Sequence, residues 1–357
     1  MAMAGTGCNE GNSPLPDTGQ TGTDDTRTVC FSLTRSTDNS TPTTPSDYQL
    51  TRAFVAERAQ EHNSSGTEAL HCAPADRTFL SEPFFLREGL RLQWYKFAFV
   101  CVPDIPGLDG TSIDGRQLFS DIQAAEGTEQ QTTCDFAKLW VDYSPLLDLQ
   151  TTHPGILANT TYDFHLYRGV VNRWTTQEDD PDVTATENVV MKRITGLLHI
   201  DMGILSDQFE KRVKEITLHL STPERAYVYD NATLEGEGSV LTQTTRSLSY
   251  TCPVSETLQT SETEHCIVEL TLLPGVLQYA TLTVTYADEQ NKTFSLSGSN
   301  AQTIEIKPNT RTTVLFNGMY SNEFEVRYAG FNDDGDDAPV VTVPGNDAWT
   351  DITTPNP

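Results

Sequence analysis

From residue 194 to 202 the chain alternates: Ile194, Leu198, Ile200 and Met202 take one parity, and Thr195, Leu197, His199 and Asp201 the other. A period of two lays one side of a strand on a core and leaves the other to solvent, which a helix cannot do. The same period returns in TLTVTYA, where Leu282, Val284 and Tyr286 face inward and the threonines face out. Further short runs read as strands: TVCFSLT, RLQWYKFAFVCV with Tyr95, Phe97, Phe99 and Cys101 on one face, and TTYDFHLYRGVV early in the chain. EITLHLS, RAYVYD, CIVELTLL, KTFSLSG, QTIEIKPN, RTTVLFNGM and NEFEVRYAG follow later. Strands this short and this regularly spaced, with turn residues between them, predict an all-β protein, an antiparallel sandwich or barrel. Apolar residues at helical spacing in DYQLTRAFVAERAQEH and RQLFSDIQAAEG predict two short crossover helices.

The chain is long enough for two cores, and its composition shows where one gives way to the next. TTQEDDPDVTATEN carries acid, proline and threonine with almost nothing apolar, the composition of a linker. The expected organisation is a leader over 1–27, an N-terminal β-sandwich domain over 28–185, a C-terminal β-sandwich domain over 186–330 and an acidic tail over 331–357.

Fifty acids against 23 bases leave a net charge of −27, which repels phosphate backbones, so nucleic acid is not an expected partner. Seven cysteines without a CxxC pair point to an oxidising compartment rather than to a zinc ribbon. Setting aside Cys8, alone in a Gly/Asn/Thr-rich leader, leaves an even set of six. Cys252 and Cys266 bracket one short polar loop and are the pair best placed for a disulfide; closing such a loop stabilises by about 3 kcal/mol in the chain-entropy description. MAMAG has neither a charged n-region nor an apolar h-region, so export is inferred from cysteine usage rather than read from a signal peptide. Cys8 stands after Gly7 at the head of a low-complexity spacer, as an acylated first residue of a bacterial lipoprotein would.

Catalytic patterns are scarce. No HExxH or GxSxG occurs, and the seven histidines are scattered, with His199 and His219 on the polar side of strands. GLDGTSIDG and FNDDGDDAP have oxygen ligands for calcium without the spacing of an EF-hand loop. The chain reads as a non-enzyme with no catalytic, cofactor-binding or metal-binding residues. Trp94, Tyr95, Trp140, Tyr143, Tyr167 and Trp174 could supply an aromatic cluster for a carbohydrate-binding adhesive module, the alternative function.

Three elements together resemble a known family. VVMKRITGLLHIDMG, with Arg193 entering the strand, precedes an FxxxVxxIxLxL segment made by Phe209, Val213, Ile216, Leu218 and Leu220. Later, IEIKPNTRTTVLFNGMY carries Ile304, Ile306, Pro308, Asn309, Thr312 or Thr313, Leu315 and Gly318 in a closing-hairpin pattern. With the aromatic strand WYKFAFV, these resemble fimbrillin-type proteins, in the branch of pilus anchor proteins from Bacteroidales. The resemblance implies two tandem transthyretin-like β-sandwich domains and a lipoprotein of the outer membrane at the cell surface, acting in adhesion. It further implies a pilus subunit or anchor that joins other pilus subunits by β-strand donation. On that reading Cys8 is the lipidation candidate and Arg27, at the border of spacer and first strand, the protease-cleavage candidate. The tail would supply the donor strand through Val341, Val343 and Trp349.

Overall fold

The computed structural model describes residues 26–35, 51–60, 68–72, 85–91, 94–103, 105–108, 111–118, 132–133, 140–158, 164–174, 183–227, 245–296, 304–316, 323–330 and 340–344. The first half of the chain forms β1 (Arg27–Arg35), β2 (Thr51–Gln60), β3 (Glu68–Cys72), β4 (Phe85–Leu90), β5 (Trp94–Pro103), β6 (Ile105–Leu108), β7 (Thr111–Ile113), β8 (Thr132–Thr133), β9 (Trp140–Asp142), helix α1 (Ser144–Thr152), β10 (Tyr167–Trp174) and β11 (Ala185–Arg193). The second half forms β12 (Gly196–Asp201), α2 (Leu205–Gln208), β13 (Val213–Pro223), β14 (Arg225–Tyr227), β15 (Thr245–Pro253), α3 (Glu256–Thr260), β16 (Ile267–Leu272), β17 (Gly275–Val276), β18 (Gln278–Tyr286), β19 (Asn291–Ser295), β20 (Glu305–Ile306), β21 (Thr310–Phe316), β22 (Glu323–Gly330) and β23 (Val340–Pro344). The protein is all-β with three short α-helices among the described residues.

The N-terminal strands make one eight-stranded sheet in the order β4-β1-β11-β10-β5-β2-β3-β8. This sheet folds on itself. β1 and β5 are three steps apart, which in a flat sheet is about 14 Å, yet the rings of Phe31 and Phe97 lie 4.7 Å apart and those of Phe31 and Phe99 5.1 Å. The fold falls at the shortest pairing along that path, where β10 and β11 share only Tyr167 opposite Arg193 and Arg168 opposite Lys192. Gly169 makes the corner passable: a Cβ there would stand 2.6 Å from Val189 Cγ1 and 2.9 Å from the Val190 carbonyl. Inside the fold Val29, Phe31, Leu33, Val55, Tyr95, Phe97, Phe99, Cys101, Tyr167, Val189 and Met191 form one core.

β5 is buried on both faces. Its odd residues Tyr95 to Cys101 line that first core, as the aromatic spacing predicted, while Ala98, Val100 and Val102 point the other way into a second core. The second core continues through Ile105, Ile113, Val141, Tyr143 and Leu146 into the C-terminal half without interruption.

The C-terminal half is a sandwich of a five-stranded sheet, β16-β12-β21-β22-β23, on a four-stranded sheet, β15-β13-β18-β19. Every strand read from the alternation in this half forms, and Leu282, Val284 and Tyr286 are buried as predicted. Most pairings are antiparallel; β1 with β11 and β12 with β21 are parallel. In each half, therefore, the opening strand lies beside a late one, and the intervening chain serves as the crossover that parallel strands require. Sheet membership changes at 194–195: Ala185–Arg193 pairs within the N-terminal sheet and Gly196–Asp201 within the C-terminal one.

The crossover helix expected at 47–62 does not form over its described residues, and the one expected at 116–127 lies mostly outside them. Thr51–Gln60 is a strand paired with β5 over ten residues, and Val55 and Glu57 are buried on the same parity. β5, covered on both faces, must satisfy its edge groups by backbone pairing, and that demand outweighs a local helical pattern. Of the second segment, Gly115–Leu118 is a single 3-10 turn, and 119–127 lies outside the described residues.

Candidate assembly interface

A protein that joins copies of itself or other subunits by strands must offer an edge or a removable strand, and the first and last described strands are the elements to test. The first is β1. It sits between β4, antiparallel, and β11, parallel, and sends Val29, Phe31 and Leu33 into the aromatic core. Arg27, the protease-cleavage candidate, is the first residue of this strand and only 2% exposed. A cut there leaves Thr28–Arg35 in its slot, still paired on both sides.

The second element is β23. It pairs antiparallel with β22, placing Val341 opposite Val326 and Val343 opposite Phe324, and so forms the outermost strand of the five-stranded sheet. The donor-strand candidates Val341 and Val343 thus lie in a strand held by the chain's own domain. Trp349 and the lipidation candidate Cys8 lie outside the described residues.

The two halves are clasped by α1. Ser144 opens the helix with Pro145 in its first turn, and Asp142 Oδ1 accepts from both the Ser144 N–H (3.0 Å) and its hydroxyl (2.7 Å). From the helix Gln150, fully buried, reaches across to Thr271 on β16. Its Oε1 accepts the Thr271 N–H at 2.8 Å and its Nε2 donates to the Thr271 carbonyl at 3.1 Å. β16 is an edge strand, so the amide of Gln150 does there what a neighbouring strand would do. The Tyr143 hydroxyl donates to the Phe164 carbonyl at 2.8 Å and lies 3.3 Å from that of Thr271. The Gly155 N–H donates to the Tyr250 hydroxyl at 3.0 Å, Arg246 pairs with Asp148, and β9 pairs with β14.

Cys252 and Cys266 are both free thiols, so the bridge expected between them is not formed in this structure. Burial pushes the Cys266 thiol up to about 12, with a further push from Cys252 nearby, and burial also raises Cys252. Protonated thiols are poor nucleophiles.

Sequence reasoning misplaced His199. It is 5% exposed rather than solvated: Nδ1 lies 2.6 Å from Glu269 Oε1, and an Arg311 nitrogen stands 3.0 Å from both ring nitrogens. Adjacent strands bring the three together, since His199 faces Glu269 across β12–β16 while Arg311 stands opposite Leu197 on β21. His219 is exposed, as read.

The N-terminal aromatics do not gather into a surface cluster among the described residues. Tyr95, Tyr143 and Tyr167 are buried, Arg225 covers the Trp140 ring at 5.1 Å, and Trp94 is left 45% exposed on the strand position opposite Trp174.

No family model matches the chain, and no curated protein matches it. Among solved structures it is similar to the tip fimbrial protein of Porphyromonas gingivalis, truncated at its C-terminus, at 9% identity and a TM-score of 0.41 over 85% of this chain and 98% of that one. It is similar to the fimbrial anchor protein of the same organism at 12% identity and a TM-score of 0.39, over 85% and 97% of the two chains. A fimbrial assembly protein from Parabacteroides distasonis aligns at 9% identity and a TM-score of 0.38, over 88% and 98%. Fimbrial proteins of Bacteroidales are thus among the solved structures to which the chain is similar, the class that the sequence motifs also resemble.

Proposed function

We propose that this chain is a cell-surface pilus subunit or anchor that assembles by exchanging its C-terminal strand. The observation that carries this reading is β23, the last described strand, which lies at a sheet edge and pairs with β22 alone among the described strands. The same five residues from another copy would make the same backbone pairs, so closed and exchanged forms differ mainly in the entropy of closing the segment 331–339. That segment, FNDDGDDAP, carries four aspartates.

The seating of Arg27 bears on which kind of subunit this is. Because a cut at Arg27 leaves β1 in place, the slot between β4 and β11 stays filled, which supports an uncut anchor held by lipid on Cys8 over a stalk subunit opened by cleavage. Anchoring at the outer membrane and adhesion through the assembled pilus belong to the same reading, as does closure of Cys252 and Cys266 into a disulfide at an oxidising surface. No separate observation favours a carbohydrate-binding cluster in the N-terminal half, whose aromatics are mostly consumed by packing.

Deleting everything after Gly330 tests the proposal. The shortened chain should remain a folded monomer and disappear from the high-mass pilus ladder on its native cell surface. Unfolding of the C-terminal sandwich on deletion, or undiminished incorporation into the ladder, would sink strand exchange.

A further inference from the structure

The outer face of the four-stranded sheet is rich in threonine. Four threonines stand in one row straight across it: Thr251 opposite Thr217, Thr217 opposite Thr283 and Thr283 opposite Thr293. The hydroxyls pair at 3.0 Å within Thr217–Thr251 and again within Thr283–Thr293. Each hydroxyl has one donor and two acceptor sites, so a pair that shares one hydrogen keeps capacity for a further partner. Thr281 continues the track along β18 on one side of the row, while Thr285 on the other side is buried. In these rows Glu215 is the one acidic side chain, on a molecule whose net charge is −27.

At one end of the track stands Tyr279. It sits in a bulge, where Tyr279 and Ala280 oppose the single residue Leu220 between the pairs His219–Thr281 and Ser221–Gln278. Ala280 is fully buried, whereas Tyr279 is 82% exposed with φ +54°. A left-handed tyrosine is strained, and such strain persists where the surroundings impose it, often at a binding site. Here the bulge sets an aromatic ring out in solvent at the head of a run of hydroxyls, with Val276, also exposed, close by in sequence.

We infer that this face binds a neutral glycan chain, with Tyr279 stacking on a sugar ring and the threonine track holding the following hydroxyls. A pyranose offers one face of C–H groups, which the negative face of an aromatic ring attracts, and a rim of hydroxyls that donate and accept as threonines do. From Tyr279 to Thr283 the track runs about 13 Å at strand spacing, the scale of a short oligosaccharide. Charge selects the class: a polyanion would meet the repulsion of the whole molecule, and an uncharged glycan meets none. The site is on the sheet opposite β23, so it stands or falls independently of strand exchange.

The test is binding of the full-length chain to neutral glucan, mannan and xylan oligosaccharides by calorimetry, with polygalacturonate as the anionic control. At least one neutral glycan should bind and the polyanion should not. Tyr279→Asn, which tolerates a positive φ, should weaken binding about tenfold or more without lowering the unfolding midpoint. Thr283→Val, which removes the central hydroxyl at nearly constant volume, should weaken it severalfold. Absence of binding to all neutral glycans, indifference to Tyr279→Asn in a folded chain, or equal binding of polygalacturonate would each overturn the inference.

Discussion

The two halves of this protein solve the same problem in different ways. The C-terminal half closes its core between two separate sheets, and its inner faces are mainly aliphatic: Leu198, Ile200, Leu218, Leu270, Leu282 and Val314. In the N-terminal half a single sheet folds over on itself at a two-residue corner, and its core is built around the rings of Phe31, Phe97, Phe99 and Tyr95. A two-sheet sandwich depends on the alternation within each strand, which is local. A folded-over sheet depends also on one corner where no side chain fits, and that is a single-residue requirement placed on Gly169. The halves are then joined by a continuous core and by the amide of Gln150, so that one side of β5 belongs energetically to the C-terminal half.

This contrast can be broken most directly at the clasp. Gln150→Ala leaves the buried Thr271 N–H without its partner and the Thr271 carbonyl with only the Tyr143 hydroxyl, at a cost of about 2–3 kcal/mol. Scanning calorimetry should show the loss as one cooperative transition dividing into two; an unchanged single transition would mean that the core alone couples the halves. Next in size is Gly169→Ala, which drives a Cβ into Val189, Met191 and the Val190 carbonyl and should cost about 1–3 kcal/mol. Hydrogen exchange should then report early opening in β1, β10 and β11 with the C-terminal sheets still protected. Equal loss of protection in both halves would remove the distinction drawn between them.

The smallest expected effect sharpens the comparison from the other side, through titration. Burial raises Tyr250 from 10.0 to about 12 and Cys266 from 9.0 to about 12. In both cases the unfolded chain releases its proton first. The stability they contribute is complete below about pH 9 and falls as pH rises through the window from 9 to 12. The unfolding midpoint should drop across that window, and Cys266→Ala should flatten the drop. A profile identical in Cys266→Ala and the parent chain would show that the thiol takes no part.

Much of the C-terminal half was legible because its information is local. His199 shows the limit of that reading: its parity was right, yet its burial depends on Glu269 and Arg311, which reach it from two other strands. Helix α1 left a signal in SPLLDLQTT, with Pro145 in its first turn and Asp142 two residues before Ser144, and that signal went unread because strands dominate the surroundings. The hydroxyl face was half legible. The outward threonines of β18 follow from the alternation, but their alignment with Thr217, Thr251 and Thr293 is a matter of register.

What the sequence alone determined is the all-β class, the positions and inward faces of the C-terminal strands, and the charge that disfavours anionic partners. Each of these follows from neighbours two residues apart or from composition. Only the tertiary structure decided that Thr51–Gln60 is a strand, that the N-terminal sheet folds at Gly169, that Gln150 caps β16 and that β23 returns to β22. Each of those is a contact between segments far apart in the chain, or a choice between two local conformations of similar free energy. A periodic pattern specifies which face of a strand turns inward. Which backbone lies beside it is settled by the free energy of burying both, and that quantity belongs to the assembled fold.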